Sequence, residues 1–445
     1  MNSSSLPLLL PQHGLGGAQD LPISRELAIL GAAAAVAVSF VVLALAWRTP
    51  RYDAATTGRP APTWLVAIVD STAWRALLRA VGLVALLYLV LVALAGKDLL
   101  TNPIFGIFYV WIWVGFVPAS LLFGRVWRAI SPWRTINAGL ARVTGAEPDA
   151  GLYTYPQRLG LWPAAFGLFA FVWFELVDTH NTELGQVTLW CAIYLAAMVV
   201  GGALFGNTFY ANADPFEVYS SLVARVSVWD RRDGVLIVRS PLANLDATPP
   251  TPGLLAVVAV LFGSTAFDAF RESTRWLVYI QGNGAPIMLQ NTLGLAGFCA
   301  GVALVFWIAC VSTGVVPGQS RRQLPGLFAH SLVPIIVGYI VAHYLSYFVE
   351  IGTYTLIQAS DPLGNGSNVF GTGGLTVNYW LSYHPTFLAE CKVAAVVTGH
   401  VVGVVAAHER AIKVLPKRHQ LTGQLPLLAA MIAFTVGGLY LLFST

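Results

Sequence analysis

The 445-residue chain reads as all-α: a polytopic membrane helix bundle of about ten transmembrane helices, with both termini outside. Three observations lead there. Hydrophobic residues make up 56% of the chain and charged residues only 10%, whereas an ordinary soluble domain carries roughly 25% charge. Apolar runs of about twenty residues, the length a helix needs to cross ~30 Å of hydrocarbon, recur from one end to the other. Lysine and arginine concentrate in alternate connections, as they do on the cytoplasmic side of membrane proteins.

Residues 1–26, which include MNSSSLPLLLPQHGLGGAQDLP, lack the basic start of a signal peptide and read as an exported tail. Residues 27–445 read as a single membrane domain, with spans expected at 27–47, 75–95, 105–123, 159–178, 186–206, 253–271, 291–313, 327–350, 388–409 and 425–443. The basic residues fall in connections 48–79, 124–158, 207–252, the turn near 320, and 410–424. Only Arg25, Lys97, Arg271, Arg275 and Lys392 are left for the outer side. That distribution orients helices and leaves no case for a nucleic-acid partner. With lysine at 97, 392, 413 and 417 alone, and a heavy Ala, Val and Leu load, the composition suggests a GC-rich bacterial genome and hence a bacterial inner (cell) membrane. Cys191, Cys299, Cys310 and Cys391 lie in or beside apolar runs without a CxxC, which argues against a disulfide framework or zinc knuckle.

Within loop 124–158, Val126, Trp127, Ile130 and Trp133 alternate with arginines at helical spacing, predicting a surface helix in the headgroup plane with tryptophan anchors. Within loop 207–252, Asp214 is placed to cap a short helix with Phe216, Val218, Tyr219, Leu222 and Val223 on its apolar face. Asp233-Gly234 then predicts a tight turn before the β-rich VLIVR. The outer loop 351–387, rich in Gly, Asn and Ser and dotted with aromatics, reads as a lid or a linker. Gly202 with Gly206, Gly297 with Gly301, and Gly399 with Gly403 are small-residue pairs that let helices approach. The last pair flanks His400.

Ionisable groups inside apolar runs are functional candidates because lipid makes them costly. His330 and His343 share one run, and His400 and His408 another. Separations of 13 and 8 residues rotate about 220° and 80° around a helix, so neither run offers both imidazoles to one seam, as a two-haem core needs. A single metal or haem bridging His343 and His400 survives that geometry. Tyr347 and Glu350 share the His343 face, a donor set that suits zinc, iron or copper. Asp268 in GSTAFDAF and Glu175 in FVWFEL are the other embedded carboxylates. No Walker loop, Rossmann fingerprint, H-E-x-x-H or G-x-S-x-G is present.

At HGLGGAQDLPI, VWRAISPWRT, RRDGVLIVRSPL, GSTAFDAF, AHSLVPIIVGYIVAHY, SDPLGNGSNVFGT and GHVVGVVAAHERA, the chain resembles a group of largely actinobacterial multi-pass membrane proteins whose members are often labelled fenitrothion hydrolase. The resemblance implies hydrolysis of an apolar aryl organophosphorus ester. It marks His13, Asp20, Asp268, His343, Asp361 and His400 as positions that match the group's pattern. On that reading a metal-bound water attacks phosphorus, with His343 and His400 as metal ligands and Asp268 or Glu350 as further ligand or base. Two rivals use the same residues. One is a proton- or ion-coupled transporter of a small apolar molecule or ion, and the other a membrane haem or copper protein of respiratory assembly.

Overall fold

The computed structural model describes residues 17–53, 55–315, 318 and 320–444, so His13 lies outside the described residues. Eight described helices are long and apolar enough to cross a bilayer: α1 (Arg25–Ala46), α2 (Thr72–Ala95), α3 (Leu184–Phe205), α4 (Leu254–Arg271), α5 (Ile287–Val311), α6 (Val333–Gln358), α7 (Pro385–Val414) and α8 (Leu425–Leu442). Two of them start on serine caps. Ser24 accepts the Leu27 N–H ahead of α1, and Ser71 accepts the Trp74 N–H ahead of α2.

Two of the expected spans take other forms. The 105–123 stretch is a bent pair, Pro103–Ile112 and Phe116–Phe123, with 46° between its halves. The bend has a local cause. The Val110 carbonyl accepts both the Val114 and Gly115 N–H groups, at 3.0 and 2.9 Å, which marks a π-type turn in residues 107–112. The 159–178 stretch yields Trp162–Leu176, an apolar helix of 15 residues. A further interruption precedes α6, where Leu324–Phe328 passes through a 3₁₀ turn at Ala329–Leu332 and Pro334 then removes a backbone donor.

Burial separates core helices from lipid-facing ones. Some 78% of α4 and 83% of the most apolar 18-residue stretch of the run leading through α6 is buried, against 11% of the matching stretch of α2, so α4 and α6 form the interior pair. The closest packing is α6 against α7. A Cβ on Gly399 would lie 2.5 Å from the Pro334 carbonyl, and one on Gly403 would lie 2.7 Å from the Ser331 carbonyl. Gly297 and Gly301, by contrast, face open space.

One end of the bundle, the terminal end, holds the start of α1 and the finish of α8, where the Arg25 guanidinium sits 5.4 Å from the Tyr440 ring centre. The opposite, basic end gathers the arginine-rich loops. There Asp214 caps Pro215–Val223 by accepting the Phe216 N–H at 3.0 Å, and the five apolar residues of that helix are all buried. Asp233 (φ +52°) and Gly234 (φ +80°) turn β2 (Trp229–Arg232) into β3 (Val235–Val238). The sequence gives no hint of the third strand, β1 (Arg59–Pro60), which pairs antiparallel with β3. Trp127 and Trp133 depart from the expected headgroup anchors. Both are buried, and their indole N–H groups bond Asp214 at 2.7 Å and Tyr194 at 3.0 Å. The α1–α2 loop is tied to α7 by buried Glu409, which accepts from Trp47 Nε1 and from the Arg51 and Tyr52 backbone N–H groups at 2.9–3.0 Å.

Candidate functional site

Asp268 lies one turn from the terminal end of α4, on the face turned toward α6, and is 1% exposed. A carboxylate in that position requires donors, and it has them from two helices. His343 Nε2 approaches Oδ2 at 2.9 Å and the Tyr344 hydroxyl donates to the same oxygen at 2.8 Å. Arg271, one turn along α4, donates through Nε to Oδ1 at 2.9 Å and through Nη1 to the Leu176 carbonyl at 2.7 Å. The His343 ring stacks parallel to Tyr339 at 6.4 Å and meets the edge of Tyr344 at 4.5 Å, so its orientation is fixed on both sides.

Other ionisable groups surround this centre. Glu175, near the finish of Trp162–Leu176, is within electrostatic reach of Asp268, Arg271 and Tyr347, and its Oε2 has no hydrogen-bond partner among the described residues. Glu272 follows α4 and feels Asp268, His343, Arg271 and Lys392. Burial first, and then the Asp268 charge, raise its carboxyl above the ordinary range. Lys392 of α7 is 1% exposed and within electrostatic reach of Asp20 and Glu272. Asp20 ends a 3₁₀ turn, Ala18–Asp20, and accepts the Gly17 N–H at 2.8 Å. The result is a series of charges from half-buried Asp20 through buried Lys392 and half-buried Glu272 to buried Asp268 and His343 with half-buried Arg271. The bent helix seats against the later turns of α6: Trp111 Nε1 bonds the Gly352 carbonyl at 3.2 Å, and Gly106 lies on Thr355.

The remaining sequence candidates are placed apart from Asp268. Glu350 is buried but serves the outer loop, accepting from the Ser382 hydroxyl. Asp361 organises a turn in that loop, accepting the Asn365 and Gly366 N–H groups at 3.0 and 2.9 Å and the Ser367 hydroxyl at 2.9 Å. The Gly366 N–H bond leads in holding its carboxyl below the ordinary range. α6 runs to Gln358, two turns past the expected 350, so the loop is shorter than 351–387. His400 is fully buried, with Nδ1 2.8 Å from the Val396 carbonyl of its own helix and Nε2 without a partner among the described residues. The Gly399–Pro334 and Gly338–Ala395 contacts set the register of α6 on α7. They place His400 roughly two turns, on the order of 11 Å, deeper than His343. Among the described residues no group of three or more His, Cys, Asp or Glu side chains is placed to hold a metal ion.

Four members of the centre were not sequence candidates for chemistry. Tyr344 carries no pattern of its own, Arg271 and Glu272 read as a local ion pair or solvated groups at a helix end, and Lys392 reads as a partner of Glu390. The available signal for Lys392 was its position in an apolar run, in a chain with only four lysines.

No family model, curated protein or solved structure matches this chain.

Proposed function

We propose that this integral membrane protein is a proton-coupled carrier of a small apolar molecule or ion, in which the Asp268–His343 pair loads and releases the proton. Arg271 neutralises the Asp268 carboxylate, so an added proton on His343 turns a balanced pair into a net cation. Such a change of charge inside lipid is what drives a carrier between arrangements. Tyr344 keeps Oδ2 bonded while the His343 proton is away. The bent 103–123 pair packs on α6, and a 3₁₀ turn interrupts the run before α6. Discontinuous helices of this kind recur where helices line a pathway. In this reading the ten expected crossings comprise α1–α8, the bent pair and Trp162–Leu176. The basic end faces the cytoplasm and both termini lie outside.

The observation that carries the reading is the fully buried Asp268 shared by a titratable imidazole and a permanent cation. Proteoliposomes with a pH-sensitive dye inside and an imposed potential test it. Wild type acidifies the lumen, Asp268→Asn abolishes the flux, and His343→Gln reduces it at least tenfold. Wild-type vesicles as tight as empty ones, across a panel of apolar weak acids and bases, would overturn it.

A second reading rests on the same contact. An imidazole 2.9 Å from a carboxylate is also the arrangement of a general base, which fits the hydrolysis implied by the resemblance. Turnover of a chromogenic aryl phosphotriester by purified protein, lost in His343→Ala, would favour it over transport.

A further inference from the structure

Several cations of the basic end have a carboxylate partner. Arg134 pairs with Glu217, Arg231 with Asp70, Arg410 with Asp246, and Lys413 with Asp246 and Glu409. Arg225 differs. It sits in the 3₁₀ turn Ala224–Val226 that follows the Asp214-capped helix, is partly buried, and has no hydrogen-bond or ion-pair partner among the described residues. Its surroundings are cationic. Arg125 and Arg239 lie within electrostatic reach of it, and Asp230, the one carboxylate in that reach among the described residues, is taken up by the Arg239 guanidinium and lies 3.6 Å from Arg125. Arg225 thus lies beyond ion-pair distance of the aspartate that Arg239 and Arg125 hold, and a partly desolvated guanidinium without a counter-ion is costly. Burial, followed by the Arg125 charge, lowers Arg225 to about 10, which leaves it charged at neutral pH.

The flank of this cluster is apolar and open. Leu122 and Phe123, at the finish of Phe116–Phe123, are exposed, and Trp229 Nε1 clamps the Leu122 carbonyl at 2.8 Å, fixing Arg125 just beyond them. Exposed apolar side chains one step from clustered arginines are the layout of a headgroup site. We propose that Arg125 and Arg225 bind the phosphate of an anionic phospholipid, with Leu122 and Phe123 against its acyl chains. The site is independent of the proton pathway.

Retention of lipid by the purified full-length protein, read by native mass spectrometry after delipidation and exchange into phosphatidylglycerol or phosphatidylcholine, tests the assignment. Phosphatidylglycerol is retained by wild type and by Arg225→Lys, and its retention falls about fivefold in Arg225→Gln and in Arg125→Gln, as expected for loss of one arginine at a membrane surface. Arg142→Gln, an exposed arginine of the same loops, keeps it. Equal retention of both lipids, or an equal loss in Arg142→Gln, would overturn the site. Inorganic phosphate that raises the melting midpoint as much as the lipid does would overturn its assignment to lipid.

Discussion

Arg271 and Asp268 stand one turn apart on α4, joined by a 2.9 Å bond from guanidinium Nε to Oδ1. The arginine's other arm is anchored to the Leu176 carbonyl on the adjoining helix. The pair therefore does two jobs: it neutralises a carboxylate beside His343, and it staples α4 to Trp162–Leu176.

Removing either partner takes away the other's bonded counter-ion. Arg271→Gln and Asp268→Ala each cost about 3–5 kcal/mol of stability. The double variant costs less than their sum, with a coupling of about 1–3 kcal/mol. Melting midpoints of the four proteins in detergent check this. Strict additivity would show that the two groups act separately.

Asp214 gives the basic end a pH dependence of definite sign. Burial, with Glu217 next in importance, pushes its carboxyl from an ordinary 3.8 up to about 7, against the lowering effect of its bonds from Trp127, Tyr194 and the Phe216 N–H. Between those two values the folded protein holds a proton that the unfolded chain has released. The stabilisation is thus full below pH ~4 and is lost as pH rises toward 7, on the order of a few kcal/mol. Wild type should lose ground to Asp214→Asn in melting midpoint across that window, with a constant difference above pH 8. A difference that widens on acidification instead would contradict the assignment.

The glycine pairs separate cleanly. Gly399→Ala drives a methyl group into the Pro334 carbonyl and should cost about 1–3 kcal/mol, with loss of proton flux as α6 and α7 part. Gly297→Ala and Gly301→Ala meet nothing within 4 Å and should be silent. Limited proteolysis and flux assays compare the three. An inert Gly399→Ala would mean that the α6–α7 contact tolerates separation.

Much of the architecture was legible because hydropathy is a property of single helices. Runs of apolar residues fix where helices lie whatever they later pack against, and Asp214 and Asp233-Gly234 signal their cap and turn through neighbours a few residues away. The bent 103–123 helix was not legible as such, because the π turn at Val110 depends on how that segment seats against α6. Trp127 and Trp133 misled for a similar reason. Amphipathic spacing shows that a face is buried but not whether lipid or protein buries it.

Sequence alone determined that this chain lives in a bilayer as helices, and which embedded residues, Asp268, His343, His400 and Glu175 among them, carry an energetic cost that needs a partner. Only the tertiary structure decided the partners. Asp268 and His343 are 75 residues apart in sequence and meet at 2.9 Å, while His400 turns to its own backbone. The cost of a charge in hydrocarbon is local to the residue, but its relief comes from whichever helix packs alongside, and helix order in a bundle is not written in the periodicity of any one helix.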